Sequence, residues 1–363
     1  MLSYTSAGPA GSYTLAQRHT FMIVALDATP LTVSTGGIRR YTEMLSSTLA
    51  ETFPNDHFWL ISDQVFSSLV AANLHRGSLP ASRRWWSFGL PRELSRIHAD
   101  VFHGTDFSVP YLPTRPSVLT LHDLSPWKAG SVASQRVRRR TPLLLRAGIP
   151  TMIITPSEAI RHEAIVHFGL NPDRVVFIPL AASPCFRQVE VQTNTKPYFL
   201  FVGTREPRKN LPRLLEAWNQ LKKTREVELV LVGASGFTEE PGLRTLAPVT
   251  DDALSALYSG AAALVYPSLY EGFGLPVLEA MQCGTPVITS RDPAIMEVTG
   301  GTGAIHIDAN STDALVTAMH CVLSNPQQLR EQALQRARQF SWQWTAQRTR
   351  EVYEQAIRLF SHT

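Results

Sequence analysis

The stretch that most constrains the fold is residues 261–290, AAALVYPSLYEGFGLPVLEAMQCGTPVITS. It opens on a short apolar run ending near Pro267, as a buried parallel strand does. A glycine turn follows, and then the helix-compatible run 275–283, with Pro276 in the first turn, where a missing N–H costs nothing. Gly284 and Pro286 end that helix, and residues 286–290 read as the next strand. Strand, glycine turn, helix and strand in such close succession leave a parallel α/β layer as the reading. The turn also brings bare backbone and free N–H groups to one point, which favours an anion. Glu271 lies in the turn and Glu279 about one helical turn in, so both carboxylates can face one crevice. Phosphate on the N–H groups with ligand hydroxyls on the carboxylates would suit the site. An ordinary βαβ corner with two solvated glutamates fits the spacing equally well.

The rest of the chain repeats the alternation. In the first half, strands are expected at 21–27, 57–62, 100–103, 117–121, 151–155 and 174–178, with helices at 37–52, 91–98 and 157–168. In the second half, strands are expected at 198–204, 227–232, 262–266, 286–289 and 304–308. Helices there are expected at 211–223, 251–259, 275–283, 311–324 and 326–339, with a closing helix at 341–361. The 363 residues suit two domains. Residues 1–20 read as a flexible extension, 21–190 as a first Rossmann-like domain, 191–197 as a polar linker and 198–345 as a second Rossmann-like domain. Two doubly wound α/β domains with one linker place a ligand crevice between them, at the carboxyl ends of both sheets.

Charge and cysteine content narrow the function classes. A net charge of +4 with a pI near 9.0 suits an anionic ligand but is too dispersed for nucleic acid. Cys185, Cys283 and Cys321 have neither metal-ligand spacing nor an even count, which points to a reducing compartment. No apolar run reaches the ~18 residues of a membrane span, and the first twenty residues lack the apolar core of a signal peptide. A cytoplasmic protein is expected, at most peripheral to the inner face of a membrane.

Four stretches carry candidate chemistry. VGTREPRKN (202–210) places Arg205, Arg208 and Lys209 at a strand's carboxyl end, able to clamp a diphosphate. TGGIRRY (35–41) opens a helix on Gly36 and Gly37, again an anion-ready start, though it is no dinucleotide fingerprint. Arg39 and Arg40 beside it are expected to be solvated. LTLHDLSP (119–126) brings His122 to a third strand end facing the crevice, whereas His103 reads as structural. RVRRRTPLLLR (136–146) reads first as a solvated face and second as a surface for anionic lipid. The chain has no D-x-D, Walker A or G-x-S-x-G, so no metal-bound diphosphate, P-loop chemistry or α/β-hydrolase chemistry is indicated.

Taken together, GTREPRKN, YEGFGLPVLEAMQCGTPVITS and LHDLSP resemble glycosyltransferase family 4, retaining enzymes of the GT-B fold. LDATPLTVSTGGIRRYTEML is similar to the bacterial subgroup that builds surface polysaccharides, often mannosyltransferases. The resemblance covers about residues 21–345 and implies two Rossmann-like domains facing a deep cleft, with 346–363 returning to the first. It implies that Arg208 and Lys209 bind the donor diphosphate and that Glu271 contacts the transferred sugar. Backbone groups of Phe273, Gly274 and Leu275 would meet sugar hydroxyls and phosphate, and Glu279 the ribose. Gly37, next to Gly36, would approach the phosphate from the opposite domain, and His122 would line the sugar site. Thr204 departs from the arginine or serine many relatives carry there, leaving open how Arg205 and Arg208 share the phosphate.

The implied activity is metal-independent, retaining hexosyl transfer. The implied substrates are a nucleotide diphosphate sugar, best matched by GDP-mannose, and a glycan or lipid-linked saccharide acceptor. UDP- or dTDP-sugars are alternatives. So are a GT-B phosphorylase or epimerase, and a catalytically silent nucleotide-sugar binder.

Overall fold

The computed structural model describes residues 21–361 apart from residue 68 and segments 79–83, 129–134, 192–195 and 238–239. The expected extension 1–20 and most of the expected linker lie outside the described residues. In the first half the strands are β1 (Ile23–Asp27), β2 (His57–Ile61), β3 (Leu74–Arg76), β4 (Val101–Gly104), β5 (Ser117–Thr120), β6 (Met152–Thr155) and β7 (Val175–Phe177). The helices there are α1 (Gly37–Thr52), α2 (Leu90–Arg96), α3 (Gln135–Arg146) and α4 (Glu158–Phe168). In the second half the strands are β8 (Tyr198–Val202), β9 (Glu228–Val232), β10 (Leu243–Leu246), β11 (Ala263–Tyr266), β12 (Val287–Ser290) and β13 (Ile305–Ile307). Its helices are α5 (Leu211–Leu221), α6 (Asp251–Gly260), α7 (Leu275–Gln282), α8 (Pro293–Thr299), α9 (Thr312–Ser324), α10 (Pro326–Ala337) and α11 (Trp342–Phe360).

Among the described residues these strands form two sheets, β3-β2-β1-β4-β5-β6-β7 and β10-β9-β8-β11-β12-β13, every pairing parallel. The strand order reverses at β1/β4 in the first sheet and at β8/β11 in the second. A crevice therefore opens at the carboxyl ends of those strands. The central strands β4, β5, β6, β11 and β12 are buried along their whole length, which is why they read as continuous apolar runs. The outer strands β3 (LHR) and β10 (LRTL) are half-exposed at the sheet edges, and neither shows such a run. Helices α3 and α8 were also absent from the expected elements. Pro142 interrupts the pattern of α3, and α8 is short, started by the Asp292 carboxylate on the N–H groups of Ala294 and Ile295 at 3.0 and 3.2 Å.

The chain joins the second domain earlier than the polar stretch suggests. The N–H of Arg187 donates to Ser255 Oγ (3.3 Å) and that of Val189 to Ser259 Oγ (3.1 Å), both on α6. Gln282 Nε2 donates to the carbonyls of Ser183 (2.9 Å) and Phe186 (2.6 Å). Residues 183–189 thus lie on the second domain, ahead of the linker expected at 191–197. Helix α11 packs along α1 and across β4, β5 and β6 of the first sheet. Its polar ties there are Arg350 Nε to Asp56 Oδ2 (2.6 Å), Tyr353 OH with His103 Nδ1 (2.7 Å) and Thr345 Oγ1 to the Pro179 carbonyl (2.8 Å).

Candidate active site

The site begins with the turn after β11. Gly274 caps α7 in the left-handed region, φ +99°, a conformation glycine adopts without strain. The N–H of Leu269 donates to the Arg208 carbonyl at 2.7 Å, fixing this turn against the loop after β8. That loop is a single 3-10 turn, Pro207–Lys209, closed by Asn210 at φ +56°. Asn210 Nδ2 donates to the Ala309 carbonyl at 2.7 Å, which holds the uncommon backbone in place. Two loops far apart in sequence are thereby locked together.

The locked loops set a buried charge cluster around Glu271. Its Oε1 accepts from Lys209 Nζ at 2.7 Å and its Oε2 from Arg208 Nη1 at 3.0 Å. Its N–H donates to Asp292 Oδ2 at 3.3 Å. Lys209, only 7% exposed, also donates to the Tyr266 hydroxyl. Arg208 uses its Nε on Glu206 Oε2 (2.8 Å) and its Nη1 on the Tyr270 carbonyl (3.1 Å). Burial alone would raise the Glu271 pKa, but Lys209 and Arg208 outweigh it and hold the carboxyl below its ordinary range. Burial would likewise lower Lys209, and Glu271 overrides it, leaving the ammonium well above its usual value. Arg208 and Lys209 come together as the sequence reading expected. Arg205 does not join them: its Nη1 donates to the Gly236 carbonyl (2.9 Å) and its guanidinium lies over Phe237. Of the three cations expected side by side, two therefore meet, at Glu271, and Arg205 lies outside that cluster.

Glu279 lies in the same helix start with different partners. Its Oε1 accepts from Arg40 Nη1 and its Oε2 from the Tyr258 hydroxyl at 3.0 Å. Burial raises its pKa, and the Arg40 charge and the two hydrogen bonds offset this only in part. Arg40 also bonds Asp251 and lies over the Phe186 ring. This corrects the expectation of a solvated Arg40: the guanidinium crosses from α1 of the first domain to α6 and α7 of the second. Arg39 folds back onto the carbonyls of Leu31 (2.8 Å) and Val33 (2.6 Å).

The first domain supplies the opposite wall. Gly36 caps α1, and a Cβ on Gly37 would lie 3.7 Å from Leu275 Cδ1, so the starts of α1 and α7 face each other. At Gly272 the approach is closer, since a Cβ would stand 2.0 Å from the His122 carbonyl oxygen. Gly272 is thus required where the two domains meet. Further ties close the same seam. Ser157 Oγ donates to the Gly272 carbonyl (2.8 Å), the Tyr270 hydroxyl donates to Glu163 Oε2 (2.8 Å) and accepts from the Leu124 N–H (2.9 Å). Glu297 of α8 takes the N–H groups of Glu158 (2.8 Å) and Ala159 (2.7 Å), capping α4 across the seam. The Phe273 ring packs inward, edge-on to Phe340.

His122 reaches this wall at the end of β5, Nε2 bonded to the Thr105 carbonyl at 2.8 Å, with Tyr41 and Phe107 edge-on to its ring. Burial lowers its pKa against that hydrogen bond and Asp123, which favours the neutral ring. His103 is buried between Tyr353 and Thr120 Oγ1 (2.8 Å), the structural place expected of it. Asp106 carries no signal of its own in the sequence. Its Oδ1 is buried without a hydrogen-bond partner among the described residues, and burial with Asp27 and Asp123 nearby pushes its pKa to about 7. The sequence signal for Arg40, Asp251, Tyr258 and Tyr266 was equally faint, because each lies far along the chain from the group it meets.

Among the described residues no group of three or more histidine, cysteine or acidic side chains is arranged to hold a metal ion, and no helix is long and apolar enough to cross a membrane.

Residues 35–184 match the family described as Glycosyltransferase Family 4, and residues 184–340 match Glycosyl transferases group 1. The chain is 33% identical over 285 residues to O-antigen chain mannosyltransferase B of Escherichia coli, covering 70% of this chain and 74% of that one. It is 32% identical over 248 residues to the MMP alpha-(1->4)-mannosyltransferase of Mycolicibacterium hassiacum, covering 64% and 58%. Among solved structures, sucrose-phosphate synthase from Thermosynechococcus elongatus superposes with a TM-score of 0.71 at 19% identity, over 94% of this chain and all of that one. Anabaena HepE in complex with UDP and glucose superposes at 0.70 with 17% identity, over 92% and 99%. The chain belongs to glycosyltransferase family 4, as an enzyme of the GT-B fold that transfers a sugar residue.

Proposed function

We propose that the enzyme moves mannose from GDP-mannose to a glycan or lipid-linked saccharide in surface-polysaccharide synthesis, with retained configuration and without a metal. The observation that carries this reading is the division of the α7 start into two charge clusters, Glu271 with Arg208 and Lys209, and Glu279 with Arg40. In it, Glu279 takes the ribose hydroxyls and Glu271 faces the transferred sugar. Arg208, Lys209 and the N–H groups opened by Gly274 receive the diphosphate, with Gly36 and Gly37 closing from the other side. Cations and a helix start aimed at the leaving diphosphate stabilise charge as it develops, the part a metal plays elsewhere. His122, neutral, lines the sugar pocket. The acceptor hydroxyl attacks on the face the diphosphate leaves, and the departing phosphate takes its proton. Mannose is preferred because the relatives named above are mannosyltransferases; GDP is the nucleotide that the resemblance to the bacterial mannosyltransferase subgroup implies.

A thermal-shift screen of GDP-mannose, UDP-glucose, UDP-N-acetylglucosamine and dTDP-rhamnose in excess EDTA tests donor and metal together. GDP-mannose at one hundred times its Kd should add about 2.7 kcal/mol of stability. Turnover should persist in the chelator. A larger shift with another donor overturns GDP-mannose, and a rate restored only by magnesium or manganese overturns the metal-free mechanism.

The same reading places the enzyme in the cytoplasm at the inner face of a membrane. Helix α3 exposes Arg138, Arg139, Arg140, Leu143 and Arg146 while burying Thr141 and Leu145. Each basic residue near an anionic bilayer contributes about 1 kcal/mol. The chain should co-sediment with phosphatidylglycerol vesicles at low salt, and Arg138→Glu with Arg139→Glu should release it. Equal sedimentation of both proteins would sink the contact.

A further inference from the structure

Arg40 is a cation that the proposed chemistry does not use, and its placement is unusual. It rises from α1 of the first domain, one turn after Gly36, whose carbonyl accepts its N–H at 3.0 Å. Its fork spans to two carboxylates of the second domain, Glu279 through Nη1 and Asp251 through Nη2. Arginine holds such a two-acceptor geometry with little further ordering, and the Phe186 face beneath it, 4.8 Å from Cζ to the ring centroid, fixes the plane. The titratable groups around Glu279 are Arg40 from α1, Tyr258 and Asp251 from α6 and Cys283 at the end of α7, just past its last residue, with Cys185 beside Asp251 and Arg40. Arg40 is the one cation among them. Take it away, and a buried carboxylate is left with a tyrosine hydroxyl and a neighbouring negative charge. Such a group protonates, and a protonated carboxyl accepts fewer hydroxyl hydrogen bonds.

We propose that Arg40 is a positioning residue for the nucleotide site: from the first domain it pairs with Glu279 and aims it, so the ribose-binding carboxylate is complete only when the domains close on each other. The inference rests on the reading that Glu279 takes the ribose. It makes nucleotide affinity a reporter of domain closure, with α1 contributing to a site otherwise built from the second domain.

Calorimetry with GDP and guanosine, and with UDP and uridine in parallel, on wild type, Arg40→Met, Arg40→Lys, Glu279→Gln and the Arg40→Met/Glu279→Gln double variant tests it. Arg40→Met should weaken the diphosphate and its nucleoside by the same factor, about tenfold. Arg40→Lys should restore part of that, and the double variant should bind no worse than Glu279→Gln alone. A loss confined to the diphosphate would make Arg40 a phosphate ligand instead. Tighter binding would make it a plug in the ribose site, and additive losses would separate it from Glu279; each of these overturns the inference.

If wild type binds none of the four ligands, the GDP and UDP readings of the site fall, and ligand-free unfolding still decides the role of Arg40. Without Arg40, the folded-state pKa of Glu279 rises further above its unfolded value. The stability deficit of Arg40→Met should then widen as pH climbs from 5 to 8 and lose that dependence in the Glu279→Gln background. A deficit that stays flat with pH overturns the inference.

Discussion

Gly272→Ala is expected to cut the rate of sugar transfer by about a hundredfold while both domains remain folded. A Cβ at this position would lie 2.0 Å from the His122 carbonyl oxygen and 3.0 Å from Asp123 Cβ. The first obstacle is backbone, so no rotamer change relieves it. The two partners belong to different domains, however, so the cheapest relief is for the seam to open by an ångström or more. Neither core is touched, and the unfolding midpoint should fall only slightly. Opening here pulls the Glu271 turn away from His122 and draws Arg40 from Glu279. A displacement of that size in a reacting pair costs about two orders of magnitude in rate. Steady-state kinetics on Gly272→Ala, with unfolding measured alongside, checks both halves. Full activity would mean that transfer proceeds with the domains farther apart than they stand here; collapse of the fold would mean that Gly272 serves the second domain alone.

The seam also marks where sequence reading stops. The central strands are legible because a strand covered on both faces is mostly apolar along its length, as MII in β6 and ALV in β11 are. The edge strands LHR and LRTL carry no such requirement and were invisible. Glu271, Arg208 and Lys209 were legible as neighbours because each follows a central strand of the same sheet, and topology brings those loops together. Arg40 was not. Its partners Glu279 and Asp251 lie on the other domain, and no local pattern states which face of α1 meets them. Its expected solvation failed for that reason. Arg205 failed the other way: it belongs to the right loop, but its side chain found Gly236 and Phe237 outside the clamp. Asp106 had no signal beyond being one acid in a loop, and its burial is a property of three strand ends at once.

Glu271→Gln should produce the second large effect, and on two observables that respond differently. The amide keeps the volume but strips the charge that compensates Lys209 and Arg208, at 2.7 and 3.0 Å. Breaking a buried pair in this way costs about 3–5 kcal/mol, because the remaining ion is left without its counter-charge. The pH dependence follows from both partners. In the native enzyme the Glu271 pKa is depressed, so its contribution is present above the ordinary carboxylate range and lost in acid. The Lys209 pKa is raised, so its contribution is present below the ordinary lysine range and lost in strong alkali. In the variant, burial lowers Lys209 instead, and its penalty fades as rising pH removes the proton. The deficit against wild type should therefore be widest between about pH 5 and 9 and shrink on both sides. Turnover should fall about a hundredfold or more, the scale of losing one charge-stabilising group at a reacting centre.

A compensating variant separates structure from chemistry. Glu271→Gln with Lys209→Met removes both members of the most buried pair and leaves Arg208 on Glu206. Much of the lost stability should return, as it does when a buried ion pair is replaced together. The rate should not return, because the sugar and the leaving diphosphate would still lack the groups assigned to them. Recovery of turnover along with stability would reduce Glu271 to a structural counter-ion, and the chemistry would then have to be carried by other groups along the cleft.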